Sequence, residues 1–323
     1  MTALRPRFDP AHRAEILAAI GPIIDAHHHY WDLDHNQYPW LQSHRVPTHF
    51  GNYDAICRTY LRDDFQAAWQ GVNVVGSVHV EAHWRAGEDP AGETRWLASL
   101  DHPPSACVGH ADVLAPDLAR VLAAHCAAGG CRGVRMMTRR AKAPSGVALL
   151  QDQRFLRGLE TVAAQGLSFD LQATPDMMPA AAELARRVPQ LTILLTHAGL
   201  PLDQSPAGLA LWRAGLTALA QCPNVAVKLS GLAMADWQWT AQSMAERVMQ
   251  VFDIFGQDRL CFGSNFPVDS LFSSYPDLVA GYAAPFCTQG SGPGSGLGAD
   301  RLRAIFHDTA QRLYRLEHNG VAQ

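Results

Sequence analysis

The 323-residue sequence is poor in charge and lacks the signatures of several protein classes. Asp, Glu, Lys and Arg make up 17% of it, the formal net charge is −4 and there is no basic block, so a nucleic-acid partner is not expected. No apolar run approaches the length of a bilayer span. The N-terminal apolar piece is short and interrupted by Glu15, too weak for a secretory signal. We therefore predict a cytoplasmic protein without a membrane partner.

The seven cysteines do not indicate a disulfide framework, because their number is odd and no CxxC pair occurs. Several lie in apolar runs, so we predict reduced thiols in the core rather than disulfides or a thiolate metal site. The hydrophobic content of 48% is typical of a globular protein. No change in composition divides the chain, so we predict one domain over 1–323. It would have a lead-in at 1–21, an aromatic lid loop at 30–53 and a flexible Gly-rich loop at 286–298.

Strand-like and helix-like patterns alternate along the chain. Long helical patterns include 54–70, and Asp300 is predicted to cap the last helix. Strict alternation indicates parallel strands, and eight units close into a distorted (β/α)8 TIM barrel. A doubly wound sheet is the alternative, but no GxGxxG turn follows the first strand. The predicted strands cover 23–29, 72–82, 105–112, 132–137, 167–172, 191–197, 225–230 and 259–265.

The first predicted strand ends in a run of histidines. Side chains of a strand alternate between faces, which would put Asp25, His27 and His29 on one side and His28 on the other. Two imidazoles on one face suit a shared metal ion or a polarised substrate oxygen. Surface or packing histidines remain the alternative for this pair.

Polar residues recur where the other strands end, which is where barrel enzymes carry their chemistry. Buried charge is costly unless it is paired, so this pattern indicates a shared site. Individually, Asp25 and Asp112 could cap turns, Lys228 could pair with a carboxylate and His110 could be a core histidine. The residues at these ends are His79, Glu81, His110, Asp112, Arg135, Asp170, Gln172, His197, Lys228, Ser230, Asn265 and Asp269.

An ordered set of motifs resembles the lactonase branch of amidohydrolase family 2, which includes fuconolactonases, rhamnonolactonases and pyrone-dicarboxylate lactonases. The opening DAHHHYWDLDHNQYPWL is followed by VHVEA, GVRMM, FDLQATPD, LLTHAGLP, VKLSGL and CFGSNFPVD, from about residue 22 to 316. The resemblance implies a distorted TIM barrel that hydrolyses a C–O or C–N bond in a small, carboxylated or sugar-derived ring. Some relatives use one divalent metal and others none.

The resemblance also implies roles for individual residues. His27, His29 and His197 would polarise the substrate carbonyl or hold one Zn²⁺ or Mn²⁺. Glu81 and Arg135 would lie beside the substrate, with Arg135 binding a carboxylate. Trp31, Asp170, Gln172 and Asp269 complete the predicted substrate contacts.

The last strand departs from the family pattern. The family usually has GSDWPV there, and its Asp activates water, but this chain has Asn265 at that position. An amide does not take up a proton near neutral pH. Asn265 can still orient water or offer its carbonyl oxygen to a metal. Either another group is the base, with His79 and Asp269 as the candidates, or the chemistry differs.

These observations favour a hydrolase that opens a small lactone or related cyclic ester or amide. The alternatives are a metal-assisted decarboxylase of aromatic or unsaturated acids and a non-catalytic barrel that binds a sugar acid. The expected partner is a small-molecule substrate. The sequence leaves a homo-oligomer open.

Overall fold

Eight parallel strands form the centre of the protein in a computed structural model, which describes residues 5–43, 47–85, 89–138, 146–287 and 296–316. Each of the eight predicted strand segments overlaps one of them, so the prediction of strand number and order is confirmed. The strands are β1 Ile23–His28, β2 Val74–Val80, β3 Ala106–His110, β4 Cys131–Arg135, β5 Ser168–Leu171, β6 Ile193–Leu195, β7 Val225–Leu229 and β8 Leu260–Phe262.

Helices separate the strands along the chain. A π-helical turn, Ala304–Asp308, joins the last two helices. None of the helices within the described ranges is long and apolar enough to cross a membrane. The helices are α1 Pro10–Ile20, α2 Pro39–Gln42, α3 Arg62–Ala68, α4 Gly92–Ala98, α5 Leu118–Ala128, α6 Gly146–Gln151, α7 Gln153–Ala164, α8 Met178–Arg187, α9 Pro206–Ala220, α10 Leu232–Ala235, α11 Ala241–Phe255, α12 Tyr275–Cys287, α13 Gly296–Arg303 and α14 Thr309–Tyr314.

Each strand pairs with the next one in sequence, from β1 to β8. The ring closes just beyond β8, where the backbone N–H of His29 donates to the carbonyl of Phe266 at 2.8 Å. The N–H of Asn265 donates to the carbonyl of His27 at 2.7 Å. The predicted (β/α)8 barrel is therefore confirmed, and the carboxyl ends of β1 and β8 lie side by side.

The interior of the barrel is filled by packed side chains. Small and branched side chains from five strands pack there with Tyr314 of α14. Within this layer the ammonium group of Lys228 lies 2.5 Å from the carboxylate of Asp170 and 5.2 Å from the ring of Tyr314. This packing leaves the carboxyl ends of the strands as the face on which a site can form.

The long connection after β1 is ordered by aromatic packing. Trp31 and Tyr38 are fully buried, and the ring of Trp40 packs on that of Trp31 with centroids 5.7 Å apart. The indole N–H of Trp40 donates to the carbonyl of Ala82, directly after β2, at 2.8 Å. This part of the predicted lid loop thus lies at the carboxyl end of β2, whereas residues 44–46 fall outside the described ranges.

Three predicted elements differ from the structure. The helix expected over 54–70 is a 3-10 turn at Asp54–Ile56 and then α3, because Tyr60 between them pairs with Trp31 through two backbone hydrogen bonds. Asp300 does not cap the last helix but lies inside α13, which begins four residues earlier. In the predicted 286–298 loop, both ends are helical and 288–295 lie outside the described residues.

Candidate active site

Three histidines from two different strands meet at the carboxyl end of the barrel. His27 and His29 lie at the end of β1, and His197 comes directly after β6. The ring of His27 is 5.1 Å from that of His29 and 4.6 Å from that of His197, measured between centroids. All three side chains are buried. Residues 170 positions apart in the sequence therefore form one cluster, as the barrel predicts.

Asp25 does not share this cluster, which corrects the prediction from simple alternation. Its carboxylate accepts hydrogen bonds from the backbone N–H of Ser264 at 2.9 Å and from the hydroxyl of Tyr275 at 3.0 Å. Tyr275 belongs to α12, outside the strands. The pairing of β1 with β2 shifts register between Asp25 and His28, so the alternation of faces is reset before His27 and His29. His28 does face away, stacked on Phe65 of α3.

The turn after β6 holds His197 in an unusual conformation. Its φ of 54° is in the left-handed region, and the backbone N–H and the Nδ1 atom both lie within hydrogen-bond distance of the Ser230 hydroxyl, at 3.2 and 3.0 Å. Gly231 leaves room for the ring, because a Cβ there would come within 2.7 Å of Nδ1. The end of β7 therefore fixes the imidazole that β6 supplies.

Arg135 at the end of β4 is anchored to Glu81 after β2. Its Nε donates to Glu81 Oε1 at 2.8 Å, and its Nη2 donates to the Glu81 backbone carbonyl at 2.5 Å. The other carboxylate oxygen accepts from the backbone N–H of His83 at 2.8 Å. Both side chains of the ion pair are buried, so the guanidinium is held rigidly.

Burial and neighbouring positive charge keep the three histidines neutral. Burial is the largest cause of the lowered pKa of His27, His29 and His197, and Arg135 lowers all three further. The pKa of His29 falls to about 3. Both ring nitrogens of His27 are buried without a hydrogen-bond partner. The cluster is therefore a set of neutral imidazoles beside a fixed cation, which suits the oxygen of a polarised carbonyl or an anion.

The residue after β8 at the rim, Asn265, is tied to Asp269 by a side-chain hydrogen bond. Asn265 has a φ of 56°, and its Nδ2 donates to Asp269 Oδ1 at 2.8 Å. Asp269 is fully buried, and its Oδ2 has no hydrogen-bond partner. Burial raises its pKa to about 8.

Three predicted site residues face elsewhere. Val78 and Val80 point into the barrel, so His79 between them lies on the outer face of β2, where its Nε2 is 3.2 Å from the Tyr30 carbonyl. Asp170 is used by Lys228 in the interior layer. Trp31 is fully buried with its N–H bonded to the Arg58 carbonyl, so it supports the ring of His29 from behind.

Two further residues shape the site without a sequence signal that predicts them. Glu93, in the first turn of α4, accepts from the backbone N–H of Ala82 at 3.1 Å and from the hydroxyl of Tyr38 at 3.2 Å. His83 adopts a positive φ of 60° and supports Glu81. Of the remaining predicted residues, Gln172 is buried after β5 with its Oε1 unpartnered. Only the folded chain brings Glu93 next to Tyr38.

The family profile described as Amidohydrolase matches residues 24–316, most of the chain. The chain belongs to the amidohydrolase family. The resemblance inferred from the motifs is therefore confirmed for the barrel as a whole.

Relatives of this amidohydrolase include an uncharacterized protein, y4mH, of Sinorhizobium fredii, 37% identical over 91% of this chain and 98% of its own length. A protein named L-fucono-1,5-lactonase from Burkholderia multivorans is 30% identical over 93% of this chain and 98% of its own. A crystal structure of an amidohydrolase from Burkholderia multivorans with bound zinc has a TM-score of 0.76 and 28% identity, covering 92% of this chain and 100% of that one.

The residues of this amidohydrolase do not fit the predicted metal site. In the ranges that the structure describes, no group of three or more His, Cys, Asp or Glu side chains is arranged to hold a metal ion. Asn265 adds no carboxylate, and its Nδ2 faces Asp269. The trio of His27, His29 and His197 is therefore not assembled as a ligand set.

Proposed function

We propose that this protein is a hydrolase that opens the ring of a small lactone, and that this substrate is anionic or sugar-derived. The observation that carries the proposal is the convergence of His27, His29 and His197 with the fixed guanidinium of Arg135. Family membership and the relatives named L-fucono-1,5-lactonase support the same reaction class.

The neutral imidazoles are suited to hold the carbonyl oxygen as it gains charge. The Ser230 hydroxyl accepts from the backbone N–H of His197, which leaves its own hydrogen for Nδ1 and favours a hydrogen on Nε2. An imidazole N–H that faces the cavity can donate to the oxyanion of the tetrahedral intermediate. Both ring nitrogens of His27 lack a hydrogen-bond partner, so the one that carries the hydrogen can donate in the same way.

Arg135 would bind an anionic group of the substrate. Glu81 uses Nε and Nη2 and holds the plane of the guanidinium, while the Nη1 amino group lies outside these bonds. A guanidinium positioned in this way offers directional hydrogen bonds to a carboxylate. A carboxylated or polyhydroxylated lactone is therefore the proposed substrate class.

None of these steps is assigned to a metal. Zinc is present in one related crystal structure, but the donors of this chain do not form a matching group in the described residues. The side chains named above therefore do the binding and charge stabilisation in the proposed mechanism.

The decarboxylase alternative has less support. The similar decarboxylase structures are 14% identical, which shows a shared fold alone. A barrel that binds a sugar acid without turnover is distinguished from a lactonase by an assay of acid release.

The test is a pH-indicator assay for acid release from a panel of aldono-1,5-lactones and carboxylated lactones. We expect turnover by the wild type, loss of at least about 100-fold in His197→Gln and retention in His12→Ala, whose side chain is exposed on α1. Release of carbon dioxide from carboxylated substrates without ring opening, or binding without turnover across the panel, would contradict the proposal.

A further inference from the structure

Opening of a lactone by water requires a group that removes a proton from that water. The described residues contain six buried carboxylates, namely Asp25, Glu81, Glu93, Asp170, Asp269 and Asp277. A carboxylate whose oxygens are already bonded to cations or N–H groups is a poor base, because those bonds favour its charged form and hold the oxygen in place. The number of free carboxylate oxygens therefore distinguishes the candidates.

Five of the six carboxylates are already held by donors. Only Asp269 has an oxygen that lacks a hydrogen-bond partner, and its single side-chain bond comes from an uncharged amide. The partners of the others are Ser264 and Tyr275 for Asp25, Arg135 and His83 for Glu81, Ala82 and Tyr38 for Glu93, Lys228 and Tyr314 for Asp170, and Arg13 for Asp277.

Asp269 is tied to the histidine cluster through Asn265. It lies in the 3-10 turn Val268–Leu271, after the carboxyl end of β8 and hence on the face of the site. The backbone N–H of Asn265 bonds to the carbonyl of His27, and its side chain bonds to Asp269. A second bond, from the N–H of Asp269 to the carbonyl of Asn265 at 3.1 Å, closes the turn.

We propose that Asp269 takes the proton from the water that attacks the lactone carbonyl, and that Asn265 positions it. This assignment rests on the proposed lactonase function. The water oxygen forms a bond to the carbonyl carbon while Asp269 Oδ2 accepts the proton. When the ring C–O bond breaks, the same proton passes from Asp269 to the leaving oxygen, so lactone and water give the hydroxy acid.

The surroundings of Asp269 suit this role. Burial keeps its pKa near 8, close to the pH at which a base combines availability with strength. Tyr282 of α12 is the titratable group that faces it, and the pKa of this phenol is raised well above its usual range, so it stays neutral. His29 is a weaker candidate, because an imidazole with a pKa of about 3 holds a proton poorly at neutral pH.

The experiment compares Asp269→Asn with Asp277→Asn on a lactone that the wild type hydrolyses. Both changes replace a buried carboxylate after β8, but Asp277 bonds to Arg13 on α1, away from the cluster. We expect kcat of Asp269→Asn to fall by about 100-fold or more with little change in KM, as for loss of a general base. The wild-type rise of kcat/KM towards pH 8 should disappear in Asp269→Asn and persist in Asp277→Asn.

The outcomes separate this assignment from the function on which it rests. Inactivity of the wild type on the whole panel would overturn the proposed function. An active wild type with an equally active Asp269→Asn, or with an unchanged pH profile in that variant, would overturn the role of Asp269 alone. If Asp269→Asn does not fold, a wild-type profile that is flat from pH 6 to pH 9 would overturn it as well.

Discussion

Glu81 fixes the guanidinium of Arg135 through two hydrogen bonds, one from Nε to its carboxylate at 2.8 Å and one from Nη2 to its backbone carbonyl at 2.5 Å. Glu81 lies just after β2 and Arg135 lies at the end of β4, with β3 between them in the barrel. Because both side chains are buried, neither charge is stable without the other. Glu81 therefore holds the Arg135 guanidinium in one orientation at the site, and replacement of Arg135 is the subject of the first prediction.

Arg135→Lys should weaken the binding of carboxylated lactones. A lysine keeps the charge but loses the planar set of donors that bonds to Glu81 and to a carboxylate at once. We expect KM for a carboxylated lactone to rise by about tenfold or more, with a smaller effect on a neutral lactone. Steady-state kinetics on both substrates measure the difference. Arg132→Lys on the same strand is the matched control, and an equal change in both variants would contradict the role of Arg135.

Gly231→Ala should disable His197. A Cβ at residue 231 would lie 2.7 Å from His197 Nδ1, in addition to the strain of a φ of 63°. Gly166→Ala is the control, because its φ of 67° is similar but no atom lies within 4 Å of the added Cβ. In both variants backbone strain should lower the free energy of unfolding by about 1–2 kcal/mol. Only Gly231→Ala should also lose most of its kcat. Comparable activity of the two variants would show that the ring of His197 is not needed in its present position.

Stability should be greatest near pH 6.5. Burial lowers the pKa of six histidines, to about 3 for His29 and about 4 for His79. The free energy of unfolding that depends on these neutral histidines is fully present above pH 6.5. It is lost as the pH falls, because the unfolded chain then binds protons that the folded chain excludes. The six histidines are His27, His28, His29, His79, His125 and His197.

Buried acids should act in the opposite direction above that pH. Burial raises the pKa of Asp25 to about 6 and of Glu93 and Asp269 to about 8, so their contribution is lost as the pH rises through those values. Below pH 6.5 six histidines outnumber three acids, and above it Glu93 and Asp269 still lose stability as the pH rises. Scanning calorimetry from pH 4.5 to pH 9 should therefore show a maximum Tm, and Glu93→Gln should flatten the alkaline side. A Tm that rises steadily to pH 9 would contradict this balance.

Removal of metal should leave turnover unchanged. The described residues contain no group of three or more His, Cys, Asp or Glu side chains arranged to hold a metal ion, and the residue after β8 is an amide that contributes no negative charge. Elemental analysis should find less than one equivalent of zinc or manganese per chain, and dialysis against a chelator should not change kcat. Loss of activity on chelation, with recovery when Zn²⁺ or Mn²⁺ is added back, would contradict it.

The architecture could be predicted because it depends on local patterns. Short apolar runs alternating with helical segments identified all eight strands, and polar residues at the strand ends indicated the face of the site. The convergence of His27 with His197 followed from the barrel alone, since the carboxyl ends of its strands meet at one rim. Sequence reasoning also kept Asp269 as a candidate base, and that role is still a proposal.

The orientation of individual side chains depended on tertiary structure. The register shift between Asp25 and His28 separates Asp25 from the histidines, and the packing of Val78 and Val80 inside the barrel turns His79 outwards. The amino acid sequence determined which groups reach the rim. Strand register and helix packing decided which of them join the histidine cluster, because a shift of one residue moves a side chain to the opposite face of a strand.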